Sequence, residues 1–213
     1  MNDPTARAAR NPVPMIRRRS RLAVACAMGA LLALAGCGPT MPTQTIAPVA
    51  TPAAQDAIPV EVHSSRMATT VSPARGVPCG GVRYPIDGRA AFEAAVVTAA
   101  GSAAGGAVRR VRVYGERLVF NYGAGPAMLG QVMLAPTATI TAHLHIDTTH
   151  GRVRARIQAN GTGARSLNGF VGCAVFGEAL ADAYREALRD LSSQIAERLY
   201  RAGSSLAAAP ARR

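Results

Sequence analysis

Apolar and polar residues alternate most sharply over residues 137–160, and the pattern predicts a β-hairpin with a defined register. If Thr148, Thr149, His150 and Gly151 connect its strands, Asp147 faces Arg152, His145 faces Arg154, His143 faces Arg156 and Thr141 faces Gln158. The opposite face then pairs Ile146 with Val153, Leu144 with Ala155, Ala142 with Ile157 and Ile140 with Ala159. One face is charged and the other apolar, as a half-buried antiparallel sheet requires. A slip of one residue would turn the arginines into the core, so the register is strongly specified.

Over residues 176–202 the period changes to that of a helix. Phe176, Leu180, Ala183 with Tyr184, Ala187 with Leu188, Leu191, Ile195 and Leu199 recur every three or four residues and draw one apolar stripe. Glu178 and Asp182 lie towards its start and Arg198 and Arg201 towards its end, in the sense the helix dipole favours. The polar side mixes both signs of charge, so this helix is expected to dock on the domain's own sheet instead of lying on a membrane surface. A shorter helix is expected over residues 88–100, with Asp87 as N-cap and Phe92 and Val96 on one face. Residues 108–122 read as extended chain with a turn or bulge at Gly115, and residues 128–134 as a possible strand ending near Pro136.

These elements predict an α+β domain over residues 79–202: an antiparallel sheet with a C-terminal hairpin, helices packed on one face, and a long C-terminal helix. Residues 37–78 carry repeated prolines among Thr, Ala and Ser, a composition that favours a solvated tether. Only Ile58, Pro59, Val60, Glu61 and Val62 read as a short strand there, with the proline placing it at an edge or a strand start. Residues 203–213 read as a disordered tail.

The first 36 residues have the form of an export signal. Arg17, Arg18, Arg19 and Arg21 precede an apolar run over residues 22–34 that is too short to span a bilayer, and small residues follow. Residues before Met15 are polar and unlike a signal, which makes Met15 a candidate true start. Leu34-Ala35-Gly36-Cys37 then resembles the lipobox of bacterial lipoproteins. That resemblance implies a diacylglycerol on the Cys37 sulfur, cleavage before Cys37, and acylation of the new amino terminus. Several acyl chains would anchor the protein stably where one would not. Gly38, where an Asp would suggest inner-membrane retention in enteric bacteria, implies an outer-membrane location facing the periplasm.

Composition narrows the chemistry. The net charge is +12 and every basic residue is arginine, which suits multidentate contact with phosphate or carboxylate but is also what a GC-rich genome produces. With Trp absent and aromatics at 4%, stacking platforms for single-stranded nucleic acid or carbohydrate are missing, and no nucleic-acid partner is expected. Cys79 and Cys173 lie in Gly-rich stretches ahead of the two predicted helices and are expected to form a disulfide in an oxidising compartment. On the polar hairpin face, His143, His145 and Asp147 point the same way and are weak candidates for metal ligands. The facing Arg152, Arg154 and Arg156 oppose a cation, so no metal site and no cofactor is expected. Those arginines form instead a possible contact row for an anionic ligand. No nucleophile elbow, phosphate loop or His-Glu-x-x-His motif occurs, and no catalytic residue is assigned.

In architecture the chain is loosely similar to small accessory lipoproteins of Gram-negative envelopes that serve lipopolysaccharide assembly or transport. That similarity implies a non-enzymatic accessory or scaffold, held at the membrane by its lipid and working with an envelope protein partner. The alternative is a binding module that takes an anionic envelope ligand on the hairpin arginines.

Overall fold

The computed structural model describes residues 39–48, 58–74, 79–102, 107–124, 131–168 and 173–204. The leader, the Leu34-Ala35-Gly36-Cys37 motif, Met15 and the tail beyond residue 204 lie outside them. The fold is α+β, with two mostly antiparallel sheets and two helices. The hairpin forms between strands β6 (Gln131–Thr148) and β7 (Gly151–Thr162) in the expected register, from Thr141 against Gln158 to Asp147 against Arg152. Ile140, Ala142, Leu144, Ile146, Ile157 and Ala159 are buried on its inner face. Val153 departs from the expectation: it is 44% exposed, because it sits near the hairpin tip beside a groove at the end of the C-terminal helix.

Strand β5 (Val108–Ala124) pairs antiparallel with β6, and β2 (Val60–His63) adds in parallel to β5, giving the order β2-β5-β6-β7. Gly115 does mark a bulge: the register steps from Gly115 against Ala142 to Arg117 against Thr141, which leaves Glu116 as an extra residue. Pro136 does not end β6. The strand runs through it and changes partner there, from β7 to β8 (Arg165–Asn168), while the Pro136 carbonyl accepts the Gly163 N–H at 2.9 Å. Proline lacks a donor but still accepts, and this junction asks only for an acceptor.

Helix α2 (Ala174–Ser204) lays its expected stripe against β6 and β7. Phe176, Leu180, Ala183, Tyr184, Ala187, Leu188, Leu191, Ile195 and Leu199 are all buried. It approaches the sheet closely because two glycines allow it. A Cβ on Gly161 would come within 2.3 Å of backbone atoms of Ala183 and Ala187, and one on Gly163 within 1.9 Å of the Ala179 carbonyl oxygen. Helix α1 (Arg89–Ser102) buries Phe92 and Val96 and packs on α2, whose Ser192 hydroxyl donates to the Ala95 carbonyl at 3.2 Å. Gly88 precedes it for the same steric reason, since the Tyr184 ring fills the space a side chain would occupy and its hydroxyl donates to the Gly88 carbonyl at 3.1 Å. Burial holds the Tyr184 phenol well above its ordinary value.

The expected tether proves to contribute to the fold. Within residues 37–78, β1 (Gln44–Thr45) and β3 (Ala68–Val71) join β4 (Tyr84–Asp87) in a second sheet of order β1-β4-β3, and β2 forms the edge of the first. Single apolar residues, Ile46 and Met67, anchor these segments and are fully buried. The prolines serve as acceptors: Pro39 takes the Arg83 N–H, Pro59 the Val111 N–H and Pro73 the Gly81 N–H. A Pro-rich composition therefore does not exclude short strands when the prolines stand where the backbone must accept and not donate.

Cys79 and Cys173 are bridged across 94 positions, with their Cα atoms 5.4 Å apart. Cys173 directly precedes α2, whereas Cys79 precedes β4, so the bridge ties the start of the long helix to the second sheet and only indirectly to α1.

Candidate functional site

The helices cover one face of the five-stranded sheet and leave the other exposed and polar. Alternation along β2, β5, β6 and β7 brings Glu61, His63, Arg112, Tyr114, His143, His145, Asp147, Arg152, Arg154 and Arg156 to this face. Glu116, the extra residue of the bulge, joins them.

The face is organised around two carboxylates. Asp147 accepts from Arg152 Nε at 2.6 Å through Oδ1 and from Arg112 Nη2 at 2.8 Å through Oδ2. The Arg152 hydrogen bond first, and then Arg112, hold its carboxyl below the usual carboxylate range against the opposing effect of burial. Glu116 takes two parallel hydrogen bonds from Arg156, at 3.1 and 3.2 Å, and lies 3.0 Å from His143 Nε2. Rings run across the strands between these clusters. His63 stacks on Tyr114 with centroids 4.4 Å apart, and Tyr114 meets His145 at 5.2 Å in a tilted arrangement. Burial, followed by the positive charge of Arg154, Arg112 and Arg152, pushes the His145 imidazole below its ordinary value.

The three weak metal candidates are thus divided among different partners: Asp147 is held by arginines, His143 by Glu116, and His145 lies against Tyr114. Among the described residues, no group of three His, Cys, Asp or Glu side chains is placed to hold a metal ion. The arginine row is likewise divided. Arg152 and Arg156 are engaged by Asp147 and Glu116, and Arg154 has no ion-pair partner among the described residues. Sequence reasoning missed Arg112, Tyr114 and Glu116. The alternation Val111, Arg112, Val113, Tyr114 could have placed the first two on this face, but Glu116 stands out of phase because of the bulge.

The edge of the sheet is treated unevenly. Along the second half of β7, side chains of α2 occupy the outward backbone groups. Asp190 accepts the Asn160 N–H at 2.9 Å, Glu186 accepts the Thr162 N–H at 2.7 Å, and Gln194 donates to the Gln158 carbonyl at 3.1 Å. No such cap lies along the first half among the described residues.

No family model matches the chain, and no curated protein matches it in sequence. Among solved structures it is similar to the crystal structure of a minor lipoprotein from Acinetobacter baumannii, at 13% identity and a TM-score of 0.33, with 70% of this chain and 93% of that one covered. A likeness of this degree assigns no role.

Proposed function

We propose that this chain is a lipid-anchored, non-enzymatic envelope lipoprotein, held at the outer membrane and facing the periplasm, that acts as an accessory or scaffold for an envelope assembly or transport system. The observation that carries the reading is Leu34-Ala35-Gly36-Cys37, directly after a basic and then apolar leader. Two features support it. The Cys79–Cys173 disulfide belongs in an oxidising compartment, and the one-sided packing of the helices leaves a polar sheet face free for a protein partner. Among the described residues no helix is long and apolar enough to cross a membrane.

Binding of an anionic envelope ligand on the arginine row is the second reading, and Arg154, unpaired among the described residues, favours it. The engagement of Arg152 and Arg156 by carboxylates ranks it below the first. The test of the anchoring claim is fractionation of cells expressing the full chain, followed by detergent-phase partitioning. Cys37→Ser is expected to leave the membrane fraction or accumulate as the uncut precursor. A Cys37→Ser protein that is processed and partitions as the wild type does would overturn it.

A further inference from the structure

We infer that the uncapped half of the β7 edge is a strand-addition site for an extended acidic segment of a partner protein. In an antiparallel pair the backbone groups of successive residues point alternately to the partner and away from it. Gln158, Asn160 and Thr162 turn theirs outward, where α2 side chains meet them. The same alternation turns the N–H and C=O of Arg152, Arg154 and Arg156 outward, and none of these has a hydrogen-bond partner among the described residues. β7 is the last strand of its sheet, and residues 151–154 are exposed.

The surroundings fit an added strand. On the inner side of this edge runs a groove of about 330 Å³, lined by residues that include Ile146, Val153, Ala155, Gln194, Arg198 and Ala202. Side chains of an added strand that point inward would enter this groove and cover Val153, the exposed apolar residue of the hairpin. Side chains that point outward would lie beside Arg152, Arg154 and Arg156; Asp147 holds the first and Glu116 the last, and Arg154, between them, has no ion-pair partner among the described residues and is the charge an acidic segment would meet.

Charge decides the occupant. A second copy pairing edge to edge would set one arginine row against another, and like charges directly opposite are destabilising. Charged side chains are also a common defence of edge strands against self-association. A segment that alternates acidic with small apolar residues satisfies both sides of the strand at once, by the main-chain mode in which an exposed edge recruits a peptide. This inference deepens the scaffold reading by naming the chemistry of the partner. Its test uses purified protein and does not depend on where the chain is anchored.

The experiment is fluorescence anisotropy of the detergent-purified full-length protein with a labelled peptide alternating glutamate and valine. In the antiparallel arrangement the glutamates lie opposite the arginines, so it is their N–H groups that face β7. Binding is expected, with affinity falling about ten-fold or more when the glutamates are N-methylated and when they are replaced by lysine, but not when the valines are N-methylated. Hydrogen exchange on complex formation should slow at the Arg152, Arg154 and Arg156 amides and stay unchanged at Val153 and Ala155, which already bond to β6. Arg154→Pro, which removes one outward N–H without touching the ladder to β6, should weaken binding more than Arg154→Ala does. The inference is overturned if the acidic peptide does not bind, if N-methylated glutamates bind equally well, or if the free protein is found dimerised through β7.

Discussion

Replacing Gly163 by alanine tests whether α2 owes its position to missing side chains. The new Cβ would stand 1.9 Å from the Ala179 carbonyl oxygen and 2.8 Å from the Ala183 nitrogen. Both are backbone atoms of a helix, so no rotamer change relieves the overlap. Either the chain after β7 or the helix must move by about an ångström, and a gap of that size forfeits a quarter to a half of each dispersion contact it opens. Leu180, Tyr184, Leu188, Leu191 and Ile195 all lie on the displaced surface. Overpacking typically costs about 1 to 3 kcal/mol, and a clash with backbone on a fully buried interface belongs at or above the top of that range. A loss of about 3 kcal/mol corresponds to roughly 6 to 12 °C in Tm for a domain of this size. The internal control is Gly177→Ala on the same helix. Its nearest neighbours are Gln44 side-chain atoms at 3.4 Å or more, an ordinary van der Waals separation, so the substitution should stabilise by about 0.5 to 1 kcal/mol through helix propensity. Equilibrium denaturation with the disulfide intact measures both. A Gly163→Ala variant within about 0.5 kcal/mol of the wild type, the range of an ordinary surface change, would refute the close-approach argument.

Ile157→Ala or Leu191→Ala should cost about 2 to 5 kcal/mol, whereas Arg154→Ala should stay within about 0.5 kcal/mol; comparable losses in the same denaturation assay would contradict the assignment of inner and outer faces. His145 should titrate by NMR below the ordinary imidazole value. Because its folded pKa is depressed, its contribution to stability is complete above the unfolded value and lost as pH falls towards the folded one. Arg154→Ala should raise the His145 midpoint only in part, since burial is the larger cause. Intact mass after alkylation should show no free thiol at Cys79 or Cys173 in the oxidised protein. Removing the bridge should cost about 2 to 5 kcal/mol, and modification of both thiols without reductant would contradict it.

Legibility followed the strength of local pattern. The hairpin register could be read from side chains alone because each strand alternates cleanly, and the α2 stripe because it holds its period for the whole helix. The second sheet could not, since β1 and β3 are too short to show a period and rest on isolated apolar residues, Ile46 and Met67. Val153 follows the alternation but not the burial, because which part of a hairpin a helix covers is a tertiary fact. The candidate face was half legible. Its β6 and β7 residues were placed, while Glu116, which engages both His143 and Arg156, arrives there through a bulge that shifts the phase of β5. Gly161 and Gly163 offered no local sign that they make room for a helix backbone distant in sequence.

The claim that carries the proposed function is that the chain is processed and lipidated at Cys37. Mass spectrometry of the amino-terminal peptide of the membrane-extracted wild-type protein addresses it directly. The predicted result is a peptide beginning at Cys37 whose mass carries a diacylglyceryl thioether and an acylated amine. A mature chain that begins at another residue with a free, unmodified amino terminus would contradict it.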